Sequence, residues 1–405
     1  MPLFCSMPLR AINCAVGNNC HWYHTPGRAQ QPFDAIEVYM VKQRFLALDV
    51  MRGLTLALMI LVNTPGSWSH VYGPLLHADW HGVTPTDFVF PFFLFIVGSA
   101  MYFSVRGLAQ LSLSQQLRKV GRRVLLLFVM GILLAAYPFT ADVHDWRIMG
   151  VLQRIALAYG VAALIVLYAG FNARLLMAAG LLLGYWILLA LAGSDPYSLE
   201  HNLVRQLDIT LLGESHLWQG KGLAFDPEGL LSTLPAVVNV LAGFEATRVL
   251  LASDNKPQAI RTLLIAALGL VLLALLWNLW MPINKSLWTS PFVLLTSGIA
   301  IAFLMLLIRL EQVTSPLVSS WLQPLYQGFA IIGKNPLFIY CLSFVWATSM
   351  YLIPVGDTTL YGAIYEFFKR FADPYLASLL FALLQVAIFW FIAWVLHKRN
   401  IVISL

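Results

Sequence analysis

Beyond residue 45 the chain is built from long apolar runs separated by short polar stretches rich in Gly, Pro, Asn and charge. Runs such as LIVLYAGFNARLLMAAGLLLGYWILLALAG and ALGLVLLALLWNLW are apolar on every face. A helix against water needs a polar stripe, whereas lipid accepts an apolar surface all round. The pattern predicts spans near residues 46–64, 86–105, 122–139, 149–170, 175–193, 229–250, 262–280, 290–310, 333–353 and 376–396. The expected fold is therefore all-α, a polytopic membrane helix bundle of about ten transmembrane helices.

Residues 1–39 differ from everything after them, being polar, unpatterned and rich in His, Asn, Gln and Pro. They lack the charged start, apolar core and small-residue cleavage site of a signal peptide. The segment MVKQRFLALDVMRG reads as a natural start at Met40. Residues 1–39 are thus expected to be a disordered or non-native extension, and residues 40–405 a single transmembrane domain.

Composition agrees with the pattern. Of 405 residues, 60% are hydrophobic and 11% charged, against roughly 25% charged in a typical soluble domain. The net charge of +6 needs no nucleic acid to explain it, because Lys and Arg collect on cytoplasmic loops of membrane proteins. With both termini inside, sixteen basic residues from Lys42 to Arg399 fall on inner connections, and six (Arg147, Arg205, Lys221, Lys285, Lys369 and Arg370) fall on outer ones. Loop 65–85 is then outside, with the longest loop, 194–228, which carries Asp195, Glu200, Asp208, Glu214, Asp226 and Glu228. Cys5, Cys14, Cys20 and Cys341 show no metal or redox spacing, so neither a disulfide framework nor a zinc site is indicated. The lack of an internal repeat counts against a transporter built from duplicated halves.

Candidate chemistry concentrates in LVNTPGSWSHVYGPLLHADWHGVTPTDFVFPFFLF, from Leu61 to Phe95. Ionisable groups at membrane depth are costly, which favours a use for them. A neutral imidazole at His77 could take a proton from an amine or accept an acyl group; otherwise it is an interfacial histidine bonded to a loop carbonyl. Asn63 could offer its amide to an oxyanion or end the first helix. His77, Asp79 and His81 form an HADWH string, but Gly82 interrupts it and no third strong ligand is nearby, so no metal is expected. His81 could orient His77 or contact an acceptor. Asp87, after Thr84, Pro85 and Thr86, suits the start of the second span and could also hold the His77 tautomer.

Asp49 and Arg52, three apart, suit an ion pair on one helix face. Arg154, in GVLQRIALAYG, lies a turn or so into a span and needs either a carboxylate or an anionic ligand such as phosphate. Arg118, Lys119, Arg122 and Arg123 read as a topology anchor. P-loop, dinucleotide, GxSxG and HExxH signatures are missing, so any cofactor must be held by the bundle itself.

The blocks LDVMRGLTLALMILVN, LLHADWHGVTPTDFVFPFFLFIVG, GVLQRIALAY, FDPEGLLSTLPAVVNVLAGFEATRVL, PINKSLWTSPFVLL and GKNPLFIY follow one another from about Arg44 to the C-terminus. In this order they resemble the bacterial membrane proteins related to lysosomal heparan-α-glucosaminide N-acetyltransferase. The resemblance implies an acetyl-CoA-dependent acyltransferase that passes acetyl from cytoplasmic acetyl-CoA to an amino-sugar amine at the outer side of a bacterial inner membrane. It implies His77 as the catalytic histidine and Asn63 as the essential asparagine. Asp87 joins them as catalytic support, with His81, Asp79 and Trp80 toward the acceptor and Arg154, Gln153 and Arg52 toward the donor. The lysosomal enzyme carries Asn where this chain has His81, so acceptor choice is expected to differ there. Membrane families of this kind often form homodimers. The alternatives are a small-sugar permease without acyl transfer and a membrane O-acyltransferase.

Overall fold

The first apolar run folds as α1 (Leu46–Asn63), and the next begins with a short 3-10 turn (Pro85–Phe88) that continues into α2 (Val89–Ala109). In this computed structural model, residues 45–312 and 316–403 are described; the 1–39 extension, Met40, Lys42 and Arg44 lie outside them. The chain continues through α3 (Leu113–Ala136), α4 (Val151–Tyr168), α5 (Phe171–Ala190), α6 (Leu203–Leu212), α7 (Thr233–Ala252), α8 (Lys256–Trp277) and α9 (Ser290–Glu311). After these come α10 (Pro316–Ile332), α11 (Pro336–Leu352), α12 (Leu360–Lys369) and α13 (Pro374–Lys398). The described strands are β1 (Pro354–Val355) and β2 (Thr358–Thr359), a minimal antiparallel hairpin before α12. The protein is an all-α polytopic bundle.

Among the described residues, eight helices are long and apolar enough to cross a membrane, or nine if α10 and α11 count as one bent span. The difference from ten has a physical cause. The span expected at 122–139 is α3, which begins earlier because Ser112 and Gln115 form a capping box, with Ser112 N donating to Gln115 Oε1 over 3.1 Å. Its first half therefore includes Arg118, Lys119, Arg122 and Arg123, too much charge for lipid on composition alone. The span expected at 333–353 is broken: α10 and α11 meet at 77°. Pro336 cannot continue the hydrogen-bond ladder, and Asn335 instead donates to Ile401 O at 3.1 Å and accepts from Ile403 N at 2.7 Å.

α1, α7 and α9 form the buried centre, while α5, α8 and α13 are mostly exposed on the outside of the bundle. α2 lies along α7, and α1 along α10. Glycines allow these close approaches: a methyl at Gly98 would overlap the Val240 carbonyl, and one at Gly243 would overlap that of Phe95. Small residues at such crossings let two backbones touch, which replaces the hydrophobic drive missing in lipid. Some polar groups inside are paired across helices. Asn239 donates to Ser297 Oγ at 3.0 Å and accepts from Trp288 Nε1 at 3.0 Å.

Contacts tie several connections together at each end of the bundle. At one end Gly82 N donates to Ile283 O over 2.8 Å and Ile148 N to His216 O over 3.2 Å. At the other, Glu245 pairs with both Arg174 and Arg248 at 2.5 Å.

Candidate active site

The sequence TPTD explains the local structure around His77. Pro85 presets the backbone of the first turn, and Thr84 and Asp87 cap it reciprocally. Asp87 Oδ2 accepts from Thr84 N at 2.8 Å and Ala78 N at 3.1 Å. Its other oxygen, Oδ1, lies 2.7 Å from His77 Nδ1. Both roles expected of Asp87 are therefore present in one side chain, as helix cap and as partner of the imidazole. The carboxylate is almost wholly buried, with 1% of its side chain exposed against 48% for His77. A carboxylate can only accept, so Nδ1 carries the hydrogen, and in the neutral imidazole Nε2 is the nitrogen with the lone pair.

A third group joins them that local sequence did not announce. Lys285 Nζ stands 2.8 Å from His77 Nδ1, 3.2 Å from Nε2 and 3.4 Å from Asp87 Oδ1. It is presented by the turn between α8 and α9. There Asn284 N donates to Thr289 Oγ1 over 3.0 Å, Leu287 N to Asn284 Oδ1 over 2.8 Å, and Trp288 adopts a left-handed φ of 51°. That conformation is costly for a bulky residue, and burial of Trp288 together with its bond to Asn239 holds it. Burial pushes the Lys285 ammonium below its ordinary pKa, with Asp87 and Glu228 pulling the other way. The available signal was the PINKSLWTSP block itself, a Lys between an Asn and a Trp at the mouth of a span.

His81 and His77 take separate partners. Asn284 Nδ2 lies 3.3 Å from His81 Nδ1, and burial lowers the His81 pKa while Asp195 opposes it, so His81 is neutral near pH 7. Trp80 anchors the loop: its Nε1 donates to Tyr197 O over 2.7 Å and its ring meets Phe225 edge-on at 5.4 Å. Asp79 is exposed, and its backbone oxygen accepts from Lys221 Nζ at 2.5 Å. Asn63 is the exposed last residue of α1, and the cap position falls on Thr64, whose hydroxyl donates to Ile60 O over 2.7 Å.

Behind this surface lies a buried charged layer. Arg147 binds Asp226 with two bonds of 2.8 and 2.7 Å and Glu228 with one of 2.6 Å. Burial would raise the Glu228 pKa, but Arg147, Arg154 and Lys285 outweigh it and hold the carboxyl below its usual range. Burial raises Asp208 to about 7. Arg154 is fully buried; its Nη2 donates to Gly229 O over 3.3 Å and to Ser232 Oγ, and its guanidinium stacks 4.7 Å from the Trp288 ring centre. Among the described residues its Nε and Nη1, and both amide atoms of Gln153, have no hydrogen-bond partner. An unmet buried donor is expensive, so Arg154 and Gln153 could hold an oxygen-rich ligand. Arg52, about 16 Å down α1 from Asn63 by helical rise, bonds Asp49 at 2.8 Å and Gly333 O at 3.2 Å. The expected ion pair is present, at the opposite end from Arg154.

Comparison with known proteins gives a family match over part of the chain. Residues 44–218 match the family described as heparan-alpha-glucosaminide N-acetyltransferase, catalytic, a range containing His77, Asp87, Arg147 and Arg154. The chain is 30% identical to the human heparan-alpha-glucosaminide N-acetyltransferase over 322 residues, covering 65% of this chain and 48% of that protein. It is 26% identical to the mouse protein over 420 residues, covering 88% of this chain and 60% of that one. The chain thus spans about half to three-fifths of the length of these relatives. The match begins at α1 and runs through the capped turn that holds His77, so over this range the chain is similar to the heparan-alpha-glucosaminide N-acetyltransferase family.

Proposed function

We propose that the protein is an integral membrane acetyltransferase that moves an acetyl group from acetyl-CoA to the amine of an amino sugar. The His77–Asp87 pair carries this reading. A buried carboxylate fixes the tautomer of a half-exposed imidazole, leaving Nε2 able to take a proton from an attacking amine or to hold the acetyl group itself. The names of the relatives, both N-acetyltransferases, support the same chemistry.

In this reading Asn63, at the exposed end of α1, supplies an amide to the tetrahedral oxyanion. Trp80, Asp79 and His81 form the acceptor side. Arg154 and Gln153, with their unmet buried groups, meet the donor near its reacting end, and Arg52 serves the donor from the far end of α1. The excess of basic residues on one set of connections supports cytoplasmic termini in a bacterial inner membrane. Acetyl-CoA then enters from the cytoplasm through the bundle, and the acceptor meets it at the outer face.

Purified protein supplied with acetyl-CoA and glucosamine tests this directly. Wild type is expected to release N-acetylglucosamine, and His77→Ala to lose about 10³-fold in turnover. Equal turnover by the two would reject the assignment.

A further inference from the structure

The position of Lys285 calls for a role that the His77–Asp87 pair does not supply. The imidazole has one nitrogen open to chemistry, because Nδ1 is committed to Asp87 at 2.7 Å. Transfer from a thioester to an amine has two proton demands at different atoms: the amine must lose a proton and the departing sulfur must gain one. One lone pair on one side of the carbonyl meets these demands poorly. Lys285 comes from a different segment, 208 residues on, and its Nζ lies 3.2 Å from Nε2. Its one described carboxylate contact, with Asp87 Oδ1 at 3.4 Å, is long for a charge-assisted bond. Nζ also lies 2.8 Å from Nδ1, but Nδ1 gives its hydrogen to Asp87 and cannot accept, so of the three ammonium N–H groups two face Asp87 and Nε2 and one remains for a group arriving between Lys285 and His77.

We infer that Lys285 is a second catalytic residue, a general acid that protonates the thiolate leaving group while His77 serves as base. This rests on the acetyltransferase reading and deepens it. The acceptor nitrogen attacks the thioester carbonyl; the new N–C bond forms as the carbonyl electron pair moves to oxygen, and His77 Nε2 takes the amine proton. The intermediate collapses, the C–S bond breaks, and Lys285 gives its proton to sulfur. The His77 imidazolium then returns a proton to Lys285 Nζ. The sum is amine plus acetyl thioester giving amide plus thiol, with both residues restored. Burial favours this assignment, since a desolvated ammonium is a stronger acid than one in water.

The test uses leaving groups of different basicity on the full-length protein in detergent. Acetyl-CoA leaves as an alkyl thiolate that benefits from protonation, whereas the thioacetate of 4-nitrothiophenol leaves as a stabilised anion that does not. With acetyl-CoA, Lys285→Gln and Lys285→Arg are both expected to lose about 10²-fold or more in kcat. With the nitrothiophenyl donor each is expected to fall within about fivefold of wild type, because the acid is no longer needed. Arginine keeps the charge beside Asp87 but cannot act as an acid near neutral pH, so it separates proton donation from charge balance. Equal losses with both donors, or full activity of Lys285→Arg with acetyl-CoA, overturn the role. A wild type that acetylates glucosamine with neither donor overturns instead the acetyl-transfer reading on which the role depends.

Discussion

His77 Nδ1 lies 2.7 Å from Asp87 Oδ1, while the other oxygen of the same carboxylate closes the first turn of the helix that carries it, 2.8 Å from Thr84 N. One side chain thus couples the start of a membrane helix to the orientation of the imidazole. A carboxylate suits both tasks because it accepts at each oxygen and donates at neither.

Asp87→Asn separates those tasks. The amide oxygen can still accept from Thr84 and Ala78, but its NH₂ then faces His77 Nδ1 and forces the tautomer with hydrogen on Nε2. Turnover is expected to fall by about 10³- to 10⁴-fold, with a thermal midpoint in detergent close to wild type. Asp87→Ala should lose the cap as well, lowering stability by about 1 kcal/mol. Turnover and thermal unfolding of the two variants, measured side by side, check this.

His81 is expected to govern acceptor affinity rather than chemistry. Its imidazole is neutral near pH 7 because burial lowers its pKa, and it touches Asn284 rather than the His77–Asp87 pair. His81→Asn should raise the KM for glucosamine by about tenfold, the worth of roughly one hydrogen bond, and leave kcat nearly unchanged. A loss in kcat equal to that of His77→Ala would contradict this.

Asp208 links stability to pH. Its carboxyl is fully buried, and its pKa is raised from 3.8 to about 7 in the folded protein. Between these values the folded state holds a proton that the unfolded state has released, so this group's contribution to stability falls as pH rises from about 4 to about 7 and is constant above. The loss amounts to about 4 kcal/mol at most for a shift from 3.8 to about 7. Asp208→Asn carries no charge to desolvate. Its advantage over wild type in thermal unfolding should grow from pH 4 to pH 7 and then level off, whereas a constant difference would reject the shift.

The α2–α7 crossing depends on the absence of side chains. A methyl at Gly98 would overlap the Val240 carbonyl, so Gly98→Ala is expected to destabilise the bundle by about 1–3 kcal/mol. Gly107, on the same helix, has open space around it, and Gly107→Ala should be neutral or stabilising by up to about 1 kcal/mol. Thermal midpoints of the pair distinguish close packing from a general intolerance of alanine.

The amino-acid sequence by itself determined that the chain is a helical membrane bundle, because an apolar run of 18 or more residues has few alternatives once water is excluded. It also marked His77 and Asp87, which lie ten residues apart within one loop and turn. Tertiary structure decided what local pattern cannot carry. The 77° break before α11 depends on Asn335 reaching the C-terminal tail and on Gly333 packing against Asp49. Arg154 reads in sequence as a charge in need of a partner, and only packing shows that Trp288, Gly229 and Ser232 surround it, with no carboxylate among the described residues in hydrogen-bond reach. Lys285 approaches His77 across 208 residues of chain. Periodicity and capping act over a few residues, whereas contact between distant segments is set by how the helices pack, so a third group at the candidate active site becomes visible only in the folded molecule.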